Sequence, residues 1–379
     1  MAVLKRVTVT ILSLLLGLGL SLALVMFQSG DSAHPKAIPS QLPLQQGINL
    51  SHWLSQSPVG YSQAHLQSWI DQSDFQWLAQ MGFDHVRLPV DPEFLQELQP
   101  PYRIKPEHFA VLDQALAWAQ QSHLGLVLDL HPNAALPLTS DVAVLDGLSQ
   151  LWSEIAHRYQ AQANFLVYEL LNEPQVQDPQ AWQRIIEQLV EVIREQDQKH
   201  SIIISGPNWG GPEDLLKLRP IADQKAIYTF HFYNPMAFTS QGADWIEGLK
   251  QIQGLPYPFD PQRFAQVKAT TPDPEAQKWL GWYANDQYNV SRLAQDLQPV
   301  QQFQNRYRVP VYCGELGVYQ RSALPPDRYR WYQDVITLLK QNRIGYALWD
   351  YRGGFGLVDR EKHQADQNLL RILQLTQGK

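Results

Sequence analysis

The chain has a single cysteine, Cys313, in 379 residues. That excludes an intramolecular disulfide, so the fold must stand on its hydrophobic core. It carries no surplus of basic charge; the formal net charge is -7, which does not favour a nucleic-acid partner. It contains no H-E-x-x-H segment, and its histidines are scattered singly, so no metal site is expected. No glycine-rich phosphate loop follows the first apolar run, which weakens a nucleotide-binding reading. There is no internal repeat and no low-complexity tail. Charged residues make up 18% of the chain and hydrophobic residues 44%, an ordinary globular balance with ample apolar surface for a core.

What the chain does have is aromatic. Twelve Trp, sixteen Tyr and thirteen Phe serve core packing, and they also suit a sugar cleft. Flat rings cover the apolar faces of pyranoses while polar side chains meet the hydroxyls.

The N-terminus is export-like. Lys5 and Arg6 precede a mostly apolar stretch, 7–27. It is longer than a typical signal-peptide core of about 7–15 residues and long enough to cross a bilayer, which takes about 20. Residues 1–27 are therefore expected to act as a signal peptide or signal anchor. Membrane anchoring would run through 7–27, with the basic end cytoplasmic and the rest of the chain outside. Residues 28–43, with three prolines among Ser and Gln, read as a polar linker. The remainder, 44–379, reads as one catalytic domain, expected to be monomeric.

Within it, short apolar runs alternate with longer amphipathic ones. The candidate strands are 47–51, 83–90, 125–131, 164–171, 201–205, 227–233, 309–315 and 345–350. Most are continuously apolar, as parallel strands covered on both faces are. Residues 75–81, 109–121 and 182–193 carry apolar positions at helical spacing. Eight such units predict a (β/α)8 TIM barrel, with a doubly wound open sheet as the alternative. The sixth and seventh strand starts lie 82 residues apart, so a long insertion is expected there. Its Trp279, Trp282, Tyr283 and Tyr288 are expected to shape one cleft wall.

In such a barrel the chemistry gathers at the C-terminal strand ends. Two carboxylates stand there, Glu173 in LLNEP and Glu315 in VPVYCGELG, 142 residues apart. A carboxylate at the end of a buried strand is costly to desolvate, and a pair of them is what glycoside hydrolysis uses. Glu315 needs hydrogen-bond donors if it is to attack as an anion; Arg87 and Tyr233 are the candidates. Glu173 must hold a proton, which repulsion from Glu315 would favour. Asp129 and Glu169 fall inside strands, where a structural role within the barrel is expected.

These residues bring a family into view. VRLPV around Arg87, LDLH ending at His131, LLNEP, HFYNP with His231 and Tyr233, CGELG and ALWDY with Trp349 occur in order. On these motifs, from about 47 to 359, the chain resembles glycoside hydrolase family 5, the cellulase family of retaining glycosidases. The resemblance implies that Glu173 is the acid/base and Glu315 the nucleophile. It implies that Arg87 and Tyr233 hold the nucleophile, and that His131, Asn172 and His231 contact the sugar or orient the acid/base. Trp349 would stack beneath the sugar; Trp53, at the end of strand one, is added here as a substrate contact. Two positions depart from many relatives: Ser240 stands where they have His, and Pro132 where they have His or Ala.

The expected activity is endo-acting hydrolysis of a β-1,4-linked glucan polysaccharide or oligosaccharide by double displacement, with no cofactor. Mannan, mixed-linkage and β-1,3-glucan are the alternative substrates. The alternative from another class is a membrane-tethered carbohydrate-binding protein without turnover, and a metal-dependent hydrolase on the same barrel is a third reading.

Overall fold

A computed structural model describes residues 44–359 and 364–375 of the chain. Eight parallel strands close into one barrel in chain order: β1 Gln46–Asn49, β2 His85–Val90, β3 Gly125–Leu130, β4 Leu166–Glu169, β5 Ile202–Ser205, β6 Ala226–Phe232, β7 Val311–Leu316 and β8 Gly345–Leu348. Every predicted strand is present, and the open-sheet alternative is excluded because β1 pairs with β8 as well as with β2. All the strand positions except Gln46 are buried, which is why the strands read as unbroken apolar runs and not as alternation.

The three predicted helices are also present, each starting a turn earlier than its apolar pattern. Gln72–Met81 begins at an Asp71 capping box with Asp74, and Pro179–Gln196 begins at Asp178 with proline in its first turn. Side-chain oxygens of these Asp residues take up free N–H groups of the first turn. The third, Pro106–Gln121, also opens on proline, whose missing N–H costs nothing there. Between β5 and β6 the connection is only a short 3-10 helix, Pro212–Lys217. The insertion between β6 and β7 folds into four helices of seven or more residues, Pro261–Thr270, Pro274–Asp286, Val290–Asp296 and Gln298–Tyr307. In it Tyr283 and Tyr288 are core residues, not cleft residues; Trp279 alone of the four expected aromatics lines the central cavity described below.

The segments 1–27 and 28–43, including the apolar stretch 7–27, lie outside the described residues. Among the described residues no helix is long and apolar enough to cross a membrane.

Candidate active site

Arg87 lies in the middle of β2 with no solvent contact, and every N–H of its guanidinium is taken. Nε donates to Glu169 at 2.7 Å and Nη2 to the same carboxylate at 2.9 Å. Nη2 also reaches Asp129 at 2.9 Å and Asn172 Oδ1 at 3.0 Å. Nη1 donates to Asn49 Oδ1 at 2.9 Å and to Glu315 Oε1 at 2.7 Å. A planar five-donor fork suits this arrangement in a way an ammonium could not. Asp129 and Glu169 are thus internal counter-ions, as their positions inside strands imply. Burial pushes the Asp129 carboxyl up to about 7 against the pull of Arg87.

Glu315, at the end of β7, receives a second donor: Tyr233 Oη–H reaches Oε2 at 2.9 Å. Burial and the adjoining Glu315 charge hold the Tyr233 phenol well above its ordinary pKa, so it remains a donor. Gly314 precedes Glu315, and a Cβ there would come within 3.0 Å of His231 Nε2 and Thr229 Oγ1. The glycine lets the imidazole lie against β7.

Glu173 follows β4 with a left-handed backbone, φ 39°, a costly state for a residue with a side chain and one that gathers at functional sites. Its side chain is 25% exposed at the cavity, and Oε1 accepts from His231 Nδ1 at 2.8 Å. The same Nδ1 lies 3.5 Å from Glu315 Oε2. Burial raises the Glu173 pKa to about 7; His131 and Arg87 pull it down, and Glu169 pushes it up. Desolvation therefore takes the part expected of Glu315 repulsion. Burial also lowers the His231 pKa to about 4, leaving a neutral ring whose Nδ1 proton goes to Glu173.

His131, after β3, donates from Nδ1 to Asp129 at 2.8 Å and stacks on Trp349, ring centres 5.7 Å apart. Asn172 Nδ2 lies 3.2 Å from His131 Nε2. Asn172 is thus held from both ends, by Arg87 and by His131.

These groups floor a cavity of about 1040 Å³ at the C-terminal end of the barrel, walled by Trp209, Trp245, Trp279, Tyr319 and Phe355. Of the residues singled out in the sequence, Glu173, Glu315, His131, His231, Tyr233 and Trp349 line it. Arg87 and Asn172 stand behind that lining. Arg87 is sealed from the cavity, so it positions carboxylates and does not touch substrate.

Trp53 is a correction. It is 1% exposed, donates from Nε1 to Leu66 O at 3.0 Å and stacks on Trp118. The chain turns at His52, φ 61°, sending the indole into the layer between barrel and helices; His52 itself lines the cavity. Ser240 also lines it, while Pro132 is not among the lining residues. Sequence reasoning passed over Gln56, Tyr319 and Phe355, all in the cavity wall. Each sits on the loop after β1, β7 or β8, and that place after a strand end was the only available signal.

Glu173, His231 and Glu315 present ligand-type atoms that all lie within 4.8 Å of one another. The arrangement can deliver a proton and a nucleophile to one bond from two sides. The cellulase profile, glycosyl hydrolase family 5, matches residues 47–354. Endoglucanase C of Acetivibrio thermocellus is 32% identical, over 86% of this chain and 97% of its own length. The crystal structure of endoglucanase Cel5A from Thermotoga maritima superposes with a TM-score of 0.72 at 29% identity, covering 87% of this chain and 97% of that one. The Thermotoga enzyme has also been solved with cellobiose and with mannotriose.

Proposed function

The chain belongs to glycosyl hydrolase family 5, and we propose that it is a retaining endo-β-1,4-glucanase with Glu173 as acid/base and Glu315 as nucleophile. The observation that carries the proposal is the closeness of the two carboxylates, with oxygens within 4.8 Å. Retaining enzymes hold the carboxyl groups about 5–5.5 Å apart, whereas inverting ones leave about 6.5–9.5 Å for a water.

Glu315, with donors on both oxygens, attacks the anomeric carbon. The C–O bond to the leaving sugar breaks as Glu173 gives its proton to the departing oxygen. The covalent ester cancels the Glu315 charge. Glu173, now ionised, takes a proton from water as the water oxygen attacks the same carbon, and Glu315 leaves as carboxylate. The neutral His231 keeps its N–H on Glu173 through both steps. Similarity to endoglucanases from two bacteria supports glucan as the substrate, and the aromatic walls suit a chain of pyranoses. We place the catalytic domain outside the cytoplasm, exported or tethered through residues 7–27.

The test is a panel of carboxymethylcellulose, barley β-glucan, mannan and β-1,3-glucan with product sizing and early anomer analysis by NMR. Internal cleavage of β-1,4-glucan with β products first is expected. Release of α products would reject the mechanism, and turnover only on mannan or β-1,3-glucan would reject the substrate. The Glu173, His231 and Glu315 cluster could also ligate a metal ion; full activity in excess chelator is expected, and its loss would favour the metal-dependent reading.

A further inference from the structure

Gln56, on the loop after β1, is fixed on three sides. Its backbone is left-handed, φ 54°, its N–H donates to Asn133 Oδ1 at 2.6 Å, and its carbonyl accepts from His52 Nδ1 at 3.0 Å. Asn133 is itself tied down, donating to Tyr61 Oη at 3.0 Å and to Asp91 Oδ2 at 2.5 Å. A left-handed side-chain-bearing residue needs such restraint to persist.

The direction of the Gln56 amide follows from proton bookkeeping. Asn172 Oδ1 accepts from Arg87 Nη2, so its NH2 end is the one that lies 3.2 Å from His131 Nε2, while His131 Nδ1 faces Asp129 Oδ2 at 2.8 Å. His131 therefore carries its proton on Nδ1, and its Nε2 is an unprotonated acceptor that the amides of Asn172 and Gln56 both face. Burial lowers the imidazole pKa to about 4, which keeps Nε2 bare in any neutral medium. Gln56 Nε2 lies 3.1 Å from that nitrogen. An amide turned the other way would set oxygen against a lone pair, so the NH2 group faces His131. Oε1 then has no partner among the described residues, and Gln56 lines the cavity.

We propose that Gln56 forms a hydroxyl-reading subsite, its Oε1 accepting a hydrogen bond from a hydroxyl of the glycone sugar, with Asn133 as its positioning residue. The assignment to the glycone side rests on the glucanase reading above. Gln56 stands on the loop after β1, which β2 and β3 separate from β4 in the closed barrel, and Glu173, which protonates the departing sugar, stands after β4. The ligand class is a neutral sugar presenting a hydroxyl donor; a uronate carboxylate at the same place would set oxygen against oxygen.

The test is calorimetric binding of cellotetraose, and of cellotriosides each lacking one hydroxyl of the glycone sugar, to the Glu315→Gln protein with and without Gln56→Met. Binding needs no turnover, and Gln56 is exposed, so its substitution leaves the core intact. Gln56→Met is expected to weaken cellotetraose by about five- to tenfold, the worth of one hydrogen bond. One deoxy analogue should bind both proteins equally, because it lacks the hydroxyl that Gln56 reads. Asn133→Ala should give a smaller loss with the same analogue pattern. Equal affinity of both proteins for cellotetraose, or a loss of the same size for every analogue, overturns the subsite. Absence of cellotetraose binding to the Glu315→Gln protein itself overturns the glucan reading, and with it the subsite.

Discussion

Arg87 on β2 donates to Glu315 on β7 at 2.7 Å, although the two strands are not neighbours in the barrel. The guanidinium spans the barrel interior and links the candidate nucleophile to the internal carboxylates Asp129 and Glu169. The nucleophile is therefore held by a group that is itself held, which limits the reorganisation needed during attack.

Arg87→Lys should test that arrangement. A lysine keeps the charge but cannot serve Glu169 through two parallel bonds and reach Glu315 as well. Turnover is expected to fall by about a hundredfold or more, the usual worth of one preorganised donor. Stability should fall by about 3–5 kcal/mol, as buried carboxylates lose partners. Urea unfolding and kcat measured well below the new midpoint separate the two effects. Near wild-type values of both would show that the fork geometry is dispensable.

The two glutamates should differ in how they fail. Glu315→Gln cannot form the glycosyl ester, so turnover should vanish on every substrate. Glu173→Gln cannot protonate the leaving oxygen, so it should lose natural glucan but retain cleavage of an activated aryl cellobioside, whose leaving group needs no proton. Equal loss by both variants on the aryl substrate would contradict the division of roles.

The strands and the two candidate carboxylates were legible in the sequence for one reason. Parallel barrel strands are buried on both faces, so each appears as an apolar run, and a Glu closing such a run stands out. What was not legible depends on loops. Gln56 sits in left-handed backbone, which leaves no periodic mark. Trp53 is one residue beyond a left-handed turn, and that turn decides whether the indole meets sugar or core. The proton economy of Glu173 was read with the wrong leading cause, because the depth of its surroundings is a property of the closed barrel.

Trp53 and Trp349 offer a direct comparison. Trp53→Ala removes a fully packed indole and should cost about 3–5 kcal/mol of stability, while KM of the folded protein stays close to wild type. Trp349→Ala opens the cavity floor beside His131 and should lower kcat/KM by tenfold or more with a smaller thermal effect. Thermal melts and kinetics on cellotetraose provide both readouts. A large KM rise in Trp53→Ala without loss of stability would restore it as a substrate contact.

The last prediction concerns pH. Burial raises Glu173 from its ordinary 4.5 to about 7. As a general acid it must be protonated in the free enzyme, so kcat/KM should decline as pH rises through about 7. His131 and His231, both lowered to about 4 by burial, should add no limb between pH 5 and 8. The same shift acts on stability with a definite sign. The folded state holds this proton more tightly than the unfolded chain, so the stabilisation is fully present below about pH 4 and is lost as pH rises through about 7. Above that, the fold bears a buried charge that Glu173→Gln would not carry. The variant should therefore gain stability over wild type between pH 5 and pH 8, on the order of 2 kcal/mol. Denaturant titrations of both proteins at the two pH values measure the gap. A gap that narrows toward pH 8 would mean that Glu173 is ionised in the free enzyme, and the acid would have to be sought elsewhere.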